Sequence, residues 1–144
     1  MNFEISESEL VKISTQDLAY FSERRLVNLA KKIVLNFFEN DEPIGFVTFD
    51  VRWINKNAYI TYYLAPHKRG KGLGKKMILT AVKFVFEELN MNRITAEVYE
   101  YNVVSINILK SIGFDLEGVI RKAKYHNGLY HNIHVYGLLK DHTP

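Results

Sequence analysis

The sequence predicts an α/β domain built on a mixed, mostly antiparallel central sheet with helices against it. Three observations predict it. Runs rich in β-branched and aromatic residues alternate with turn residues as far as Leu64. A longer run, Met77 to Leu89, repeats its apolar residues at helical spacing. Asn127-Gly128, a strong hairpin dipeptide, separates two further strand-like runs.

In chain order, Phe3 to Ile5 reads as a short opening strand. Ser6-x-x-Glu9 has the form of a capping box, and Ser14 or Thr15 suits another helix start. Leu18, Phe21, Leu26 and Leu29 support helix between residues 8 and 30. Lys32 to Phe38 and Ile44 to Val51 form a predicted hairpin about Asn40-Asp41-Glu42-Pro43. Ala58 to Leu64 is the next strand, stopped at Pro66. Helix follows from Leu73 to Leu89, carried by Met77, Ile78, Ala81, Val82, Phe84 and Val85. Ile94 to Tyr99 is a strand and Ser105 to Ile112 a short helix ended by Gly113. Val119 to Tyr125 and Tyr130 to Leu138 close the chain as a hairpin. A right-handed crossover is expected at the long helix.

At 144 residues, 47% hydrophobic and 24% charged, the chain suits one domain over residues 1–144. It has no cysteine, which excludes disulfide scaffolds, thiolate zinc sites and a cysteine nucleophile. The net charge of +3 is too small for a nucleic-acid footprint, so no nucleic-acid partner is expected. No run approaches the ~20 apolar residues of a membrane span, and the N-terminus lacks a basic leader. The expected location is cytoplasmic, with no membrane partner. His131-x-x-His134 sits on a predicted strand, where residues three apart face opposite sides, so no metal is expected.

Arg69-Gly70-Lys71-Gly72-Leu73-Gly74 lies between a predicted strand and a predicted helix. Five of the nine residues from Lys68 to Lys76 are basic. Glycines let bare backbone N–H groups close around an anion, and a helix N-terminus adds partial positive charge. The spacing matches neither the dinucleotide nor the P-loop pattern. A ligand carrying a pyrophosphate is the first expectation.

A second motif follows: Glu97-Val98-Tyr99-Glu100-Tyr101-Asn102, then Ser105, Asn107 and Gly113-Phe114. The glycine loop and this motif, in this order, resemble the two hallmarks of the GCN5-related N-acetyltransferases. Glu117 to Arg121 and Tyr125 to Tyr130 are similar to the branch with ribosomal-protein N-terminal and spermidine acetyltransferases. The resemblance covers about residues 32 to 139. It implies a fold of the acyl-CoA N-acyltransferase type, splayed between its fourth and fifth strands, with acetyl-CoA in the gap as co-substrate. It also implies an enzyme that transfers acetyl to a primary amine. Residues expected to bind the cofactor are Leu64, Ala65, Arg69, Gly70, Lys71, Gly72, Leu73, Gly74, Lys75, Asn102 and Asn107.

Acetyl transfer from a thioester needs a neutral amine, a stabilised oxyanion and a proton for the thiolate. Glu97 matches the glutamate that is the base in part of the family, and Glu100 is the second candidate. A backbone N–H near Leu64 would hold the oxyanion. Many relatives carry a tyrosine acid where this chain has Leu109. Ser105 matches a serine given that role in the ribosomal-protein branch, although the glutamate accompanying it there corresponds to Lys124 here. Tyr99, Tyr101 and water are the other proton sources.

The expected acceptor is a small-molecule or peptide amine: a protein N-terminus, a polyamine or an amino sugar. The short stretch between Ile5 and Lys32 suggests an open acceptor site, or one completed by the second subunit of a homodimer. A strongly acidic lining would favour a polyamine; Glu39, Asp41, Glu42 and Asp50 are acidic but are expected around a hairpin, so they carry little of that signal. The competing reading is a CoA-binding sensor or subunit without catalysis.

Overall fold

The computed structural model describes residues 1–21 and 32–142. Its strands are β1 (Asn2–Ser6), β2 (Ile33–Glu39), β3 (Glu42–Arg52), β4 (Asn57–Leu64), β5 (Arg93–Tyr99), β6 (Asp115–His126) and β7 (Leu129–Leu139). Among the described residues two α-helices, α1 (Leu73–Glu87) and α2 (Val103–Ile112), follow β4 and β5. The seven strands make one sheet in the order β1-β2-β3-β4-β5-β7-β6. Every neighbouring pair is antiparallel except β4 and β5, which are parallel and joined through α1.

Local sequence explains most of these elements. On α1, Met77, Ile78, Ala81, Val82, Val85 and Phe86 fall on one face and are buried. They pack against Leu35, Phe37, Val47, Phe49, Ile94 and Ala96 from the sheet. Fully burying side chains of this size contributes about 1.5–3 kcal/mol each before entropy is counted. The β6–β7 hairpin turns at Asn127 and Gly128, with φ of 51° and 79°. Two left-handed residues in a row are what a tight twisted hairpin requires.

The N-terminal segment departs from expectation. The capping box at Ser6 and Glu9 starts no helix, and Thr15–Tyr20 is a single 3-10 segment. Asn36 on β2 supplies the reason. Its side-chain oxygen accepts from the Leu10 N–H at 3.0 Å, and its amide donates to the Ser8 carbonyl at 3.0 Å. Those are backbone groups a helix would have used, and Asn36, 1% exposed, has no alternative in water. Ser14 stands at the N-cap of the 3-10 segment, but its hydroxyl donates to the Asp17 carboxylate at 2.8 Å and makes no capping bond to the backbone. The helix expectation for residues beyond Phe21 falls on 22–31, outside the described residues. Among the described residues no helix is long and apolar enough to cross a membrane.

Candidate active site

β4 and β5 pair only from Asn57 to Tyr59 on one strand and Arg93 to Thr95 on the other. Beyond Tyr59 the strands part and open a cleft of about 670 Å³. Strand alternation places two sets of side chains along it. Tyr62 and Leu64 point to the helix side, where Met77, Ile78, Ser105 and Ile108 complete the wall. Thr61 and Tyr63 on β4, and Thr95, Glu97 and Tyr99 on β5, lie on the other face. Side chains from both faces of the sheet therefore line the cleft.

The glycine loop lies at one end. Gly70 and Gly72 have φ of 82° and 78°, and no atom stands within 4 Å of where either Cβ would be. Gly72 is the N-cap of α1 and no side chain caps the helix. The first N–H groups of α1 thus lack intrahelical partners at an open, positively polarised end. This arrangement fits a phosphate of the expected cofactor. Gly74 lies in the first turn, within ordinary contact of Leu64 and Ile108.

The expected cluster of cations is divided. Lys68 turns away to Glu39 at 2.9 Å, with Glu42 at 3.9 Å. Arg69 donates from Nε to the Leu64 carbonyl at 2.9 Å and pairs with Asp17 at 3.1 Å. No ion pair among the described residues engages Lys71, Lys75 or Lys76, and Lys75 lines the cleft.

On β5, Glu97 is exposed and lines the cleft. Asn102 caps α2, its side chain accepting from the Ser105 N–H at 3.3 Å. Ser105 is buried, and its hydroxyl is hydrogen-bonded to that of Tyr62. Burial pushes the Tyr62 hydroxyl up to about 12, with the Ser105 bond pulling the other way. Tyr99 is also pushed up to about 12, first by burial and then by Tyr101 and Glu97.

Several expected residues lie elsewhere. Glu100 accepts from the Asn132 backbone N–H and does not line the cleft, so it stands apart from Glu97. Tyr101 donates to the Ala19 carbonyl and stacks on His126 at 5.0 Å. Leu109 is fully buried among core residues. Asn107 is exposed and, with Ala65, Lys71 and Leu73, is not part of the cleft wall. Asp50, expected near a hairpin tip, does line the cleft, opposite Tyr59 in the β3–β4 register.

Tyr62, Tyr63 and Asp17 were not expected at the site. A signal for Tyr62 was present: it stands two residues before Leu64, and a strand puts such residues on the same face. Asp17 had no such signal, because only the fold carries the N-terminal segment to the end of β4.

A parallel strand pair that parts beside a glycine loop, with a helix N-terminus at its mouth, defines the acyl-CoA transferase class of fold. The model of the acetyltransferase (GNAT) domain matches residues 1–135, and the chain belongs to that family. It is 36% identical over 107 residues to YokL, an SPbeta prophage-derived uncharacterized N-acetyltransferase of Bacillus subtilis (strain 168); the match takes in 72% of this chain and 59% of that protein. It is 26% identical over 105 residues to the ribosomal-protein-serine acetyltransferase of Escherichia coli (strain K12), covering 72% and 59%. RimL, a ribosomal L7/L12 alpha-N-protein acetyltransferase solved in complex with coenzyme A, aligns with a TM-score of 0.71 at 26% identity. That alignment covers 76% of this chain and 63% of RimL. The chain thus spans less than two thirds of the length of these relatives.

Proposed function

We propose that the chain is an acetyl-CoA-dependent N-acetyltransferase that moves acetyl to a primary amine by direct attack on the thioester. The observation that carries this reading is the cleft between β4 and β5, with the glycine loop at one end and Glu97 on the wall opposite the helices. Acetyl-CoA would enter from the helix side and the amine from the other face.

Residues of this chain then have distinct tasks. The N–H groups between Arg69 and Gly74 hold the pyrophosphate, with Lys75 adding charge. Parted from β5, β4 offers backbone groups to the pantetheine arm. The Leu64 N–H stabilises the oxyanion. Glu97 takes a proton from the incoming ammonium, directly or through water, because such groups are mostly protonated near neutral pH. Asn102 fixes the start of α2 and so the place of Ser105. Glu97 gives the acceptor side negative charge, which suits a cationic amine, either a peptide N-terminus or a polyamine; Asp50, which also lines the cleft, is paired with Arg52 at 2.9 Å.

Thiol release from acetyl-CoA with a seryl peptide, spermidine and glucosamine tests the proposal. Turnover with any of them supports the enzyme and ranks the acceptors. CoA binding without release across a wide amine panel would overturn it in favour of a CoA sensor. Leu109, in the core where many relatives have an acid, is the observation that keeps this second reading in the test.

A further inference from the structure

Tyr62 is the one hydroxyl from β4 on the helix side of the cleft, and Ser105 is its hydrogen-bond partner. The two come from elements far apart in the chain: the middle of β4 and the first turn of α2. Both are sheltered from solvent, and both line the cleft. A hydroxyl has one proton and two lone pairs, so within such a pair only one member donates. The phenol is the more acidic of the two and therefore the better donor. With Tyr62 donating, the serine proton must point elsewhere. The Ser105 backbone N–H is already committed to Asn102, and the cleft is the space its side chain faces.

We infer that Tyr62 is a positioning residue: its hydroxyl donates to Ser105 Oγ and turns the serine's own proton toward the thiol sulfur of CoA in the cleft. The inference rests on the proposed acetyl-CoA reading. No proton leaves Tyr62. Its raised pKa keeps the phenol neutral and donating across the working range. Accepting one hydrogen bond strengthens the donor power of the same hydroxyl, so the pair favours a thiolate more than a lone serine would. The effect on the leaving group is electrostatic: a hydrogen bond that strengthens as negative charge builds on sulfur. The other titratable groups lining the cleft are Lys75 on α1, Glu97 and Tyr99 on β5, Tyr59 and Tyr63 on β4, Asp50 on β3, and Asp17 and Tyr20 of the N-terminal segment with Arg69. A change from Tyr62 to Phe alters none of their charges.

The test is the acidity of bound CoA, read by ultraviolet difference titration of the CoA complex against the desulfo-CoA complex. Tyr62→Phe should make the bound thiol roughly three- to tenfold less acidic, the equivalent of one ordinary hydrogen bond. Ser105→Ala should have a similar effect, and the double variant should add nothing to Ser105→Ala. Affinity for desulfo-CoA should not change, which separates positioning from general loss of structure. Should Tyr62→Phe not fold, 3-fluorotyrosine at position 62 keeps the shape with a more acidic phenol and should make the thiol more acidic. Equal thiol acidity in wild type and either Tyr62 variant, with CoA bound, overturns this inference alone. Failure of wild type to bind CoA overturns the proposed function, and this inference with it.

Discussion

Arg69 and Asp17 tie the entrance of the glycine loop to the N-terminal 3-10 segment, with Nη2 3.1 Å from Oδ2. The same carboxylate accepts from the Tyr63 hydroxyl at 2.6 Å and the Ser14 hydroxyl at 2.8 Å. The guanidinium lies over the Tyr63 ring, 5.2 Å from its centroid, while Nε holds the Leu64 carbonyl. The loop, the end of β4 and the N-terminal segment thus form one polar network at the cleft.

Asp17→Asn should loosen that network. Burial alone would raise the Asp17 carboxyl, but hydrogen bonds from Tyr63, Arg69 and Ser14 outweigh it and hold the pKa below the ordinary value. A carboxyl depressed in the folded state stabilises the protein above its unfolded pKa, and that contribution fades as pH falls through the folded value. Wild type should exceed Asp17→Asn by roughly 1–3 kcal/mol at neutral pH, with the gap closing below the carboxylate range. Urea unfolding of both proteins at the two pH values measures it. A gap that is the same at both would remove the charge of Asp17 from the account.

Gly72→Asp should weaken CoA binding by about tenfold or more, since it puts a like charge at the phosphate and a side chain on a left-handed residue. The position is open, with φ of 78°, so the fold should survive. Gly72→Ala separates the two effects, keeping the backbone strain without the charge. Calorimetry with CoA on both variants gives the comparison, and unchanged affinity in folded Gly72→Asp would refute the loop as the phosphate site.

Glu97→Gln should lower the rate mainly at low pH. At high pH more of the amine is already neutral and needs a base less. The pH–rate profile of kcat/KM is the measurement. A profile with the same height and shape as wild type would take Glu97 out of proton transfer.

Ser105→Ala should cost about tenfold or less in kcat, below the ~10²–10⁴ of an obligatory acid. Leu109→Tyr should not restore or raise the rate. Leu109 is fully buried in the core, so a larger side chain there overpacks it by about 1–3 kcal/mol without reaching the cleft. Steady-state kinetics with thermal melts checks both. A loss of several thousandfold in Ser105→Ala with CoA affinity intact would make the serine the obligatory acid.

Much of the fold was legible because its signals are local. The α1 stripe and the Asn127-Gly128 turn each depend on neighbours within a few residues. The hairpin of β2 and β3 was read from Asn40 to Pro43 in the same way. The capping box at Ser6 was misread because it is a local signal overruled by Asn36, a side chain from another strand. Glu97, Ser105 and Asn102, singled out by motif, line the cleft. Tyr62 was passed over because a tyrosine in a strand reads as core until its partner across the gap is known.

The sequence by itself determined where a left-handed glycine loop could lead into a helix. Glycines at 70 and 72 favour a left-handed backbone, and that preference is a property of each residue alone. Tertiary structure alone decided which charges remain beside that loop. Lys68 and Arg69 are adjacent in the basic run, yet one goes to Glu39 on β2 and the other to Asp17 in the N-terminal segment. Ion-pair partners are chosen by which carboxylates the sheet register and chain path bring within a few ångströms, since interactions between exposed charges fade within about 10 Å in salt. No pattern in the basic run itself encodes those distances. They arise only when β2, β4 and the N-terminal segment assemble.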